Sequence, residues 1–133
     1  MALTAEQIQR FQRQLLLAPI GGAGQERISA ATILLHGKAP LCRRYLEGAG
    51  VGCVTTSGEA DLVVDLEDGA AFDAAPAERL WGGVVDGRVR VGCDPIPGSA
   101  GTPAERAVVE VLAAGEALWR LLGHPPHAYD FAL

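Results

Sequence analysis

Ala31-Thr32-Ile33-Leu34-Leu35-His36-Gly37-Lys38-Ala39-Pro40-Leu41 is the stretch on which the fold turns. A short apolar strand, Thr32 to Leu35, runs into a tight turn and then a helix for which Pro40 is a suitable first residue. That is the layout of a nucleotide or dinucleotide site, in which turn glycines let the backbone approach phosphate and the next helix aims its N-terminus at the charge. Here only Gly37 is left. The G-x-G-x-x-G spacing is replaced by His36-Gly37-Lys38-Ala39-Pro40, and Pro40 has no N–H to offer an anion. The scaffold reads as a nucleotide-binding one whose nucleotide site has decayed.

Outward from this point the chain alternates helices and strands. Thr4 and Gln7 form a capping box, and Ile8, Phe11 and Leu15 recur at helical spacing, which predicts a helix over 5–16 with Arg10 and Arg13 off the apolar stripe. Pro19 to Gly24 breaks that helix, and Gln25 to Ile28 is a helical turn before the first strand. The helix opened by Pro40 turns Leu41, Tyr45 and Leu46 inward and ends at Gly48. Val51 to Thr56 and Asp61 to Asp65 are short apolar runs of the kind buried in a parallel sheet. Pro76 to Leu80 reads as a poor helix, and Val84 to Val91 as two alternating strands around Asp86-Gly87, where the sheet becomes antiparallel. Thr102, Pro103 and Glu105 cap the longest helix, which runs to Gly123 before Pro125-Pro126 forbids continuation. The expected fold is Rossmann-like α/β: a mainly parallel sheet, helices on both faces and an antiparallel hairpin near the C-terminal half. At 133 residues this is one domain, with an N-terminal helical arm (1–30), a degenerate nucleotide-binding core and hairpin (31–92), and a loop, long helix and closing strand (93–133).

Composition narrows the function classes. The net charge of −5 argues against nucleic acid, whose binding rests on clustered Lys and Arg, and only Arg43-Arg44 clusters. No positive n-region with an apolar run opens the chain and no stretch approaches a membrane span, so a cytoplasmic protein is expected. With 49% hydrophobic residues, part of the surplus covers a subunit interface or else reflects an alanine-rich core. Cys42, Cys53 and Cys93 are odd in number and read as reduced, buried thiols. No C-x-x-C occurs, which makes zinc improbable. His36 reads as a satisfied histidine at a strand end, and His124 and His127 as cations beyond a helix C-terminus.

Taken in order, these segments resemble the ThiF/MoeB/HesA group of adenylating enzymes, to which the ubiquitin-activating enzymes also belong. Arg10-Phe11-Gln12-Arg13-Gln14-Leu15 looks like that family's opening R-Y-x-R-Q motif, and Ile20-Gly21 with Gly24-Gln25 like its I-G-x-x-G-Q. Leu46 to Gly52 resembles L-x-x-A-G-V-G, and Asp61 to Asp68 resembles D-L-V-x-D-x-x-D. Leu112 to Gly123 looks like the last helix and Tyr129-Asp130-Phe131 like the closing strand. The resemblance implies a dimer that uses Mg-ATP to adenylate a carboxylate, often the C-terminal glycine of a ubiquitin-like sulfur carrier. It implies Arg13, reaching in trans to a partner's ATP, and the metal-associated Asp68 as catalytic residues, with Arg10, Gly37 and Lys38 at the nucleotide. Against the family pattern, the acidic residue that ends the second strand is replaced by Thr55-Thr56-Ser57, and the segment after it is reduced to Gly58-Glu59-Ala60.

Three functions follow as expectations. The first is a non-catalytic subunit that dimerises with itself or with an active relative and supplies Arg13. The second is a reduced adenylyltransferase acting on a carrier C-terminus through Lys38, Asp68 and a partner's Arg13. The third is a small-ligand module built on the altered His36-Gly37-Lys38 turn. Arg13 reads otherwise as solvated or paired with Glu6 or Glu26, Asp68-Gly69 as a plain turn, and Lys38 as a solvated lysine.

Overall fold

A computed structural model describes residue 6 and residues 21–67, 78–96 and 101–133. One six-stranded sheet organises them, in the order β2-β1-β3-β4-β5-β6. Its strands are β1 (Thr32–His36), β2 (Cys53–Thr55), β3 (Leu62–Asp65), β4 (Glu78–Val85), β5 (Arg88–Gly92) and β6 (Tyr129–Phe131). β1 pairs in parallel with β2 and β3, and β3 with β4; β4–β5 and β5–β6 are antiparallel. The hairpin turns at Asp86 and Gly87, both at positive φ, the two-residue turn whose twist matches its flanking strands. The mainly parallel sheet with a C-terminal antiparallel hairpin is thus the one the sequence pattern predicts.

Three helices complete the described residues: α1 (Gly21–Ala30), α2 (Pro40–Gly48) and α3 (Pro103–Leu121). α2 and α3 pack on each other and α3 lies along β3, β4 and β5. α1 is tied to both: Gln25 Nε2 donates to Ala49 O (2.9 Å) and Arg27 Nη1 to Leu122 O (2.9 Å). All three contribute side chains to one core against the sheet. The core lies between, where Ile33, Leu35, Leu62, Val64, Leu80, Val84, Val89 and Val91 meet Ile28, Cys42, Leu46, Val109 and Ala113. The helix expected over 5–16 falls outside the described residues.

Several local expectations are corrected. The helical turn expected at Gln25 to Ile28 is a full helix that already begins at Gly21. Glycine is a poor helix former, but Ile28 and Gln25 are fully buried, and their tertiary contacts override that propensity. On α2 the buried residues are Cys42 and Leu46, an i,i+4 pair, and Tyr45 is 53% exposed on the other side. Glu78 to Leu80 belongs to a strand instead of a helix, because pairing with β3 supplies the backbone partners that a weak helical pattern lacks. α3 stops at Leu121 rather than Gly123. Cys53 and Cys93 are exposed, and only Cys42 is buried. β2 begins at Cys53, not Val51, since Gly52 N–H already bonds Ile28 O (3.2 Å) and a Cβ on Gly52 would lie 2.1 Å from Ser29 O. The chain reaches β3 from β2 without a helix, through residues 56–61.

Candidate functional site

In an open α/β sheet ligands bind beyond the carboxyl ends of the strands where the order reverses. Here β1 has β2 on one side and β3 on the other, so the turn after β1 and the end of β3 form that crevice. Gly37 has φ +108 and a Cβ built there would stand 3.0 Å from Glu67 Cβ and 3.2 Å from Glu67 N. It is glycine because the β1 and β3 ends close on each other. Leu66 N–H donates to His36 O (3.0 Å) across the same gap.

The N-terminus of α2 already has its N–H groups bonded. Its N-cap, Ala39, has no side-chain cap, and Pro40 removes one donor. The next two N–H groups, of Leu41 and Cys42, both donate to Glu110 Oε1 of α3, at 2.9 and 3.3 Å. A carboxylate of the chain thus occupies the place a phosphate takes at such a helix start. Burial, and then the charge of Glu110, pushes the Cys42 thiol up to about 12, which makes it inert as a nucleophile.

Two cavities flank this point. One, of about 150 Å³, is lined by Lys38, Glu67, Arg106 and Glu110 over Leu66, Val84 and Val109. The other, of about 450 Å³, lies toward β2 and is lined by Lys38, Arg43 and Thr56 with Leu35, Ala39 and Pro40. Lys38 is shared by both, and it is exposed. Thus Gly37 and Lys38 come together at the crevice, whereas Arg10, Arg13 and Asp68 lie outside the described residues.

Composition and spacing did not single out three features. Asp65 is fully buried at the end of β3; its Oδ1 meets His36 Nδ1 at 3.0 Å and Glu67 N at 3.3 Å, while Oδ2 has no hydrogen-bond partner. Glu67 Oε2 approaches His36 Nε2 at 3.9 Å. The signal available was a charged residue closing an otherwise apolar strand. On α3, Glu116 is buried and accepts from Arg120 Nε (3.0 Å) and His127 N (2.8 Å), with His127 Nδ1 at 3.2 Å. Arg120 continues to Arg79 O (3.0 Å) and Cys93 Sγ (3.2 Å). His124 stacks on Trp119 with ring centroids 3.8 Å apart, so both C-terminal histidines are engaged by α3. The third feature is Glu110 itself, which nothing in its local sequence announces. No cluster of three metal-ligating side chains occurs among the described residues, and no described helix is long and apolar enough to cross a membrane.

Sheet order, crevice and helix arrangement define a Rossmann-like α/β protein of the kind that carries ligands at its strand ends. The selenomethionine crystal structure of PaaA has the same fold, with a TM-score of 0.69 over 99% of this chain and 72% of that one at 10% identity. Among curated proteins, the bovine (Bos taurus) adenylyltransferase and sulfurtransferase MOCS3 is 44% identical over 54 residues, 38% of this chain and 12% of that protein. The sulfur carrier protein adenylyltransferase of Thermus thermophilus is 39% identical over 57 residues, 41% of this chain and 21% of that protein. The heterocyst protein HesA of Trichormus variabilis is 36% identical over 66 residues, 47% of this chain and 25% of that protein. The resemblance to the ThiF/MoeB/HesA group is therefore borne out, over a chain that spans a quarter or less of those curated relatives. No family model matches.

Proposed function

We propose that this chain is a non-catalytic companion in an adenylating system, dimerising with itself or with an active relative and supplying Arg13 to the partner's site. The observation that carries the reading is Glu110 bonded to the first free N–H groups of α2. A triphosphate seated there would have to displace that carboxylate and then remain beside it. Each unit of phosphate charge about 4 Å from the carboxylate costs on the order of 4 kcal/mol at an effective dielectric of 20. The loss of the turn glycines and the packing of Gly37 against Glu67 act in the same direction. The name of one relative, a sulfur carrier protein adenylyltransferase, supports a setting in which a sulfur carrier is adenylylated.

The test is ATP–pyrophosphate exchange with a ubiquitin-like carrier, run for the chain alone and for an active ThiF/MoeB-like partner mixed with it. The expected result is no exchange by the chain alone and partner exchange that falls when Arg13→Ala replaces the wild type. Exchange by the chain alone, abolished by Asp68→Asn, would make it a reduced adenylyltransferase instead. Partner exchange indifferent to Arg13→Ala would remove the trans role.

A further inference from the structure

We infer that the cleft between β1, α2 and the end of β2 is a binding site for a phosphomonoester, held by Lys38, Arg43 and the Thr56 hydroxyl. This inference stands whether or not the chain joins an adenylating system. The cleft measures about 450 Å³, room for a ligand of nucleoside size, and none of its lining residues is a carboxylate. That sets it apart from the neighbouring cavity, where Glu67 and Glu110 join Lys38. Among the described residues neither Lys38 nor Arg43 is ion-paired. Arg43 is nonetheless placed: Nη1 donates to Val54 O at 3.3 Å, which ties the guanidinium to β2 and leaves most of its five donors available.

The chemistry of the β2 end points to the same ligand. In dinucleotide folds an acid at this position binds the ribose 2′-hydroxyl, and an arginine nearby accommodates a 2′-phosphate in its stead. Here the acid is replaced by Thr55-Thr56-Ser57, and an arginine lines the cleft. Two cations and a hydroxyl donor line one cleft, which are the groups that bind a phosphate, and Leu35, Ala39 and Pro40 offer an apolar wall to the body it is attached to. Because Glu110 fills the start of α2, the anion is held by side chains and not by the helix N-terminus.

The experiment is calorimetric titration of the full chain with three probes: adenosine 2′-monophosphate, inorganic phosphate and adenosine. The 2′-monophosphate is expected to bind saturably, inorganic phosphate to compete with it more weakly, and adenosine to bind at least about ten-fold more weakly, the scale of one charge-assisted hydrogen bond. Arg43→Gln and Lys38→Gln should each weaken the 2′-monophosphate about ten-fold or more at unchanged circular dichroism, Arg43→Lys should restore part of the loss, and Arg88→Gln on the far hairpin should change nothing. No saturable binding, equal binding of adenosine, or affinity indifferent to Lys38 and Arg43 would each overturn the assignment. Pyrophosphate exchange is not read in this experiment, so its outcome leaves the companion reading where it stands.

Discussion

At the residue scale, Cys42 and Asp130 place opposite limits on the pH range of the fold. Asp130 is exposed between two cations; the hydrogen bond from Arg88, and after it the one from Arg90, hold its carboxyl below the usual carboxylate range. Its contribution is present above the unfolded value and lost as pH falls through the folded one, and at so exposed a site it is small. Cys42 runs the other way. Its folded value of about 12 lies above the ordinary 9.0, so the folded chain holds a proton that the unfolded chain gives up. Stability is full below pH 9 and declines between about pH 9 and 12; urea unfolding across that range should show the decline in the wild type and a shallower one in Cys42→Ala. Glu116 supplies a third prediction at this scale. Glu116→Ala would leave the buried Arg120 without its i,i+4 partner and is expected to cost about 3–5 kcal/mol in urea unfolding. Helical spacing puts Glu116 and Arg120 on one face of α3, but it says nothing of Arg88 beside Asp130 or of Glu110 beside Cys42. Spacing identifies which residues share a helix face, but Glu110 caps Leu41 across 69 positions, and only the packed helices bring them together.

At the element scale, the sequence spoke clearly where a segment carries its own local code and poorly where a neighbour imposes the structure. The α3 cap is of the first kind: Thr102 Oγ1 accepts from Glu105 N (3.1 Å) and Glu105 Oε1 accepts from Thr102 N (2.8 Å), the box that four consecutive residues announce. The Asp86-Gly87 hairpin is another. β4 is of the second kind. Its charged start and its paired glycines, Gly82-Gly83, hide a strand that exists because β3 and β5 pair with it on both sides. α2 combines the two, with a proline start readable in the sequence and a cap borrowed from α3. Glu110→Ala would strip that cap from Leu41 and Cys42, at an expected cost of about 0.5–2 kcal/mol. It would also remove the charge that helps raise the Cys42 thiol, so the loss of stability between about pH 9 and 12 should be shallower than in the wild type. An unchanged midpoint at neutral pH together with an unchanged decline above pH 9 would show that the Glu110 contact contributes nothing.

At the scale of the whole molecule, the candidate crevice and the C-terminal helix form one mechanical unit. The crevice is made by β1, β3 and the start of α2, yet α3 caps α2 through Glu110 and lines the smaller cavity with Arg106 and Val109. The core draws on residues from Ile28 to Ala117, so no subset of strands carries a core of its own. β6 then closes the far edge, pairing with β5 and bringing Asp130 to Arg88 and Arg90. This is why the outline of the fold could be read from patterning alone while the state of the site could not. Apolar runs and caps mark the strands and helices one by one, but whether the α2 start is open depends on a side chain that α3 delivers only after the core has assembled. Folding is therefore expected to be a single cooperative step, with far-ultraviolet circular dichroism and tryptophan fluorescence from Trp81 and Trp119 giving coincident urea transitions. Val64→Ala, beneath the crevice and fully buried, should lower the common midpoint, by an amount equivalent to about 2 kcal/mol of unfolding free energy, without separating the two signals. A Trp119 transition that precedes the loss of helix and sheet would mean that the C-terminal end of α3 detaches by itself; the cap on α2 would then open independently of the core.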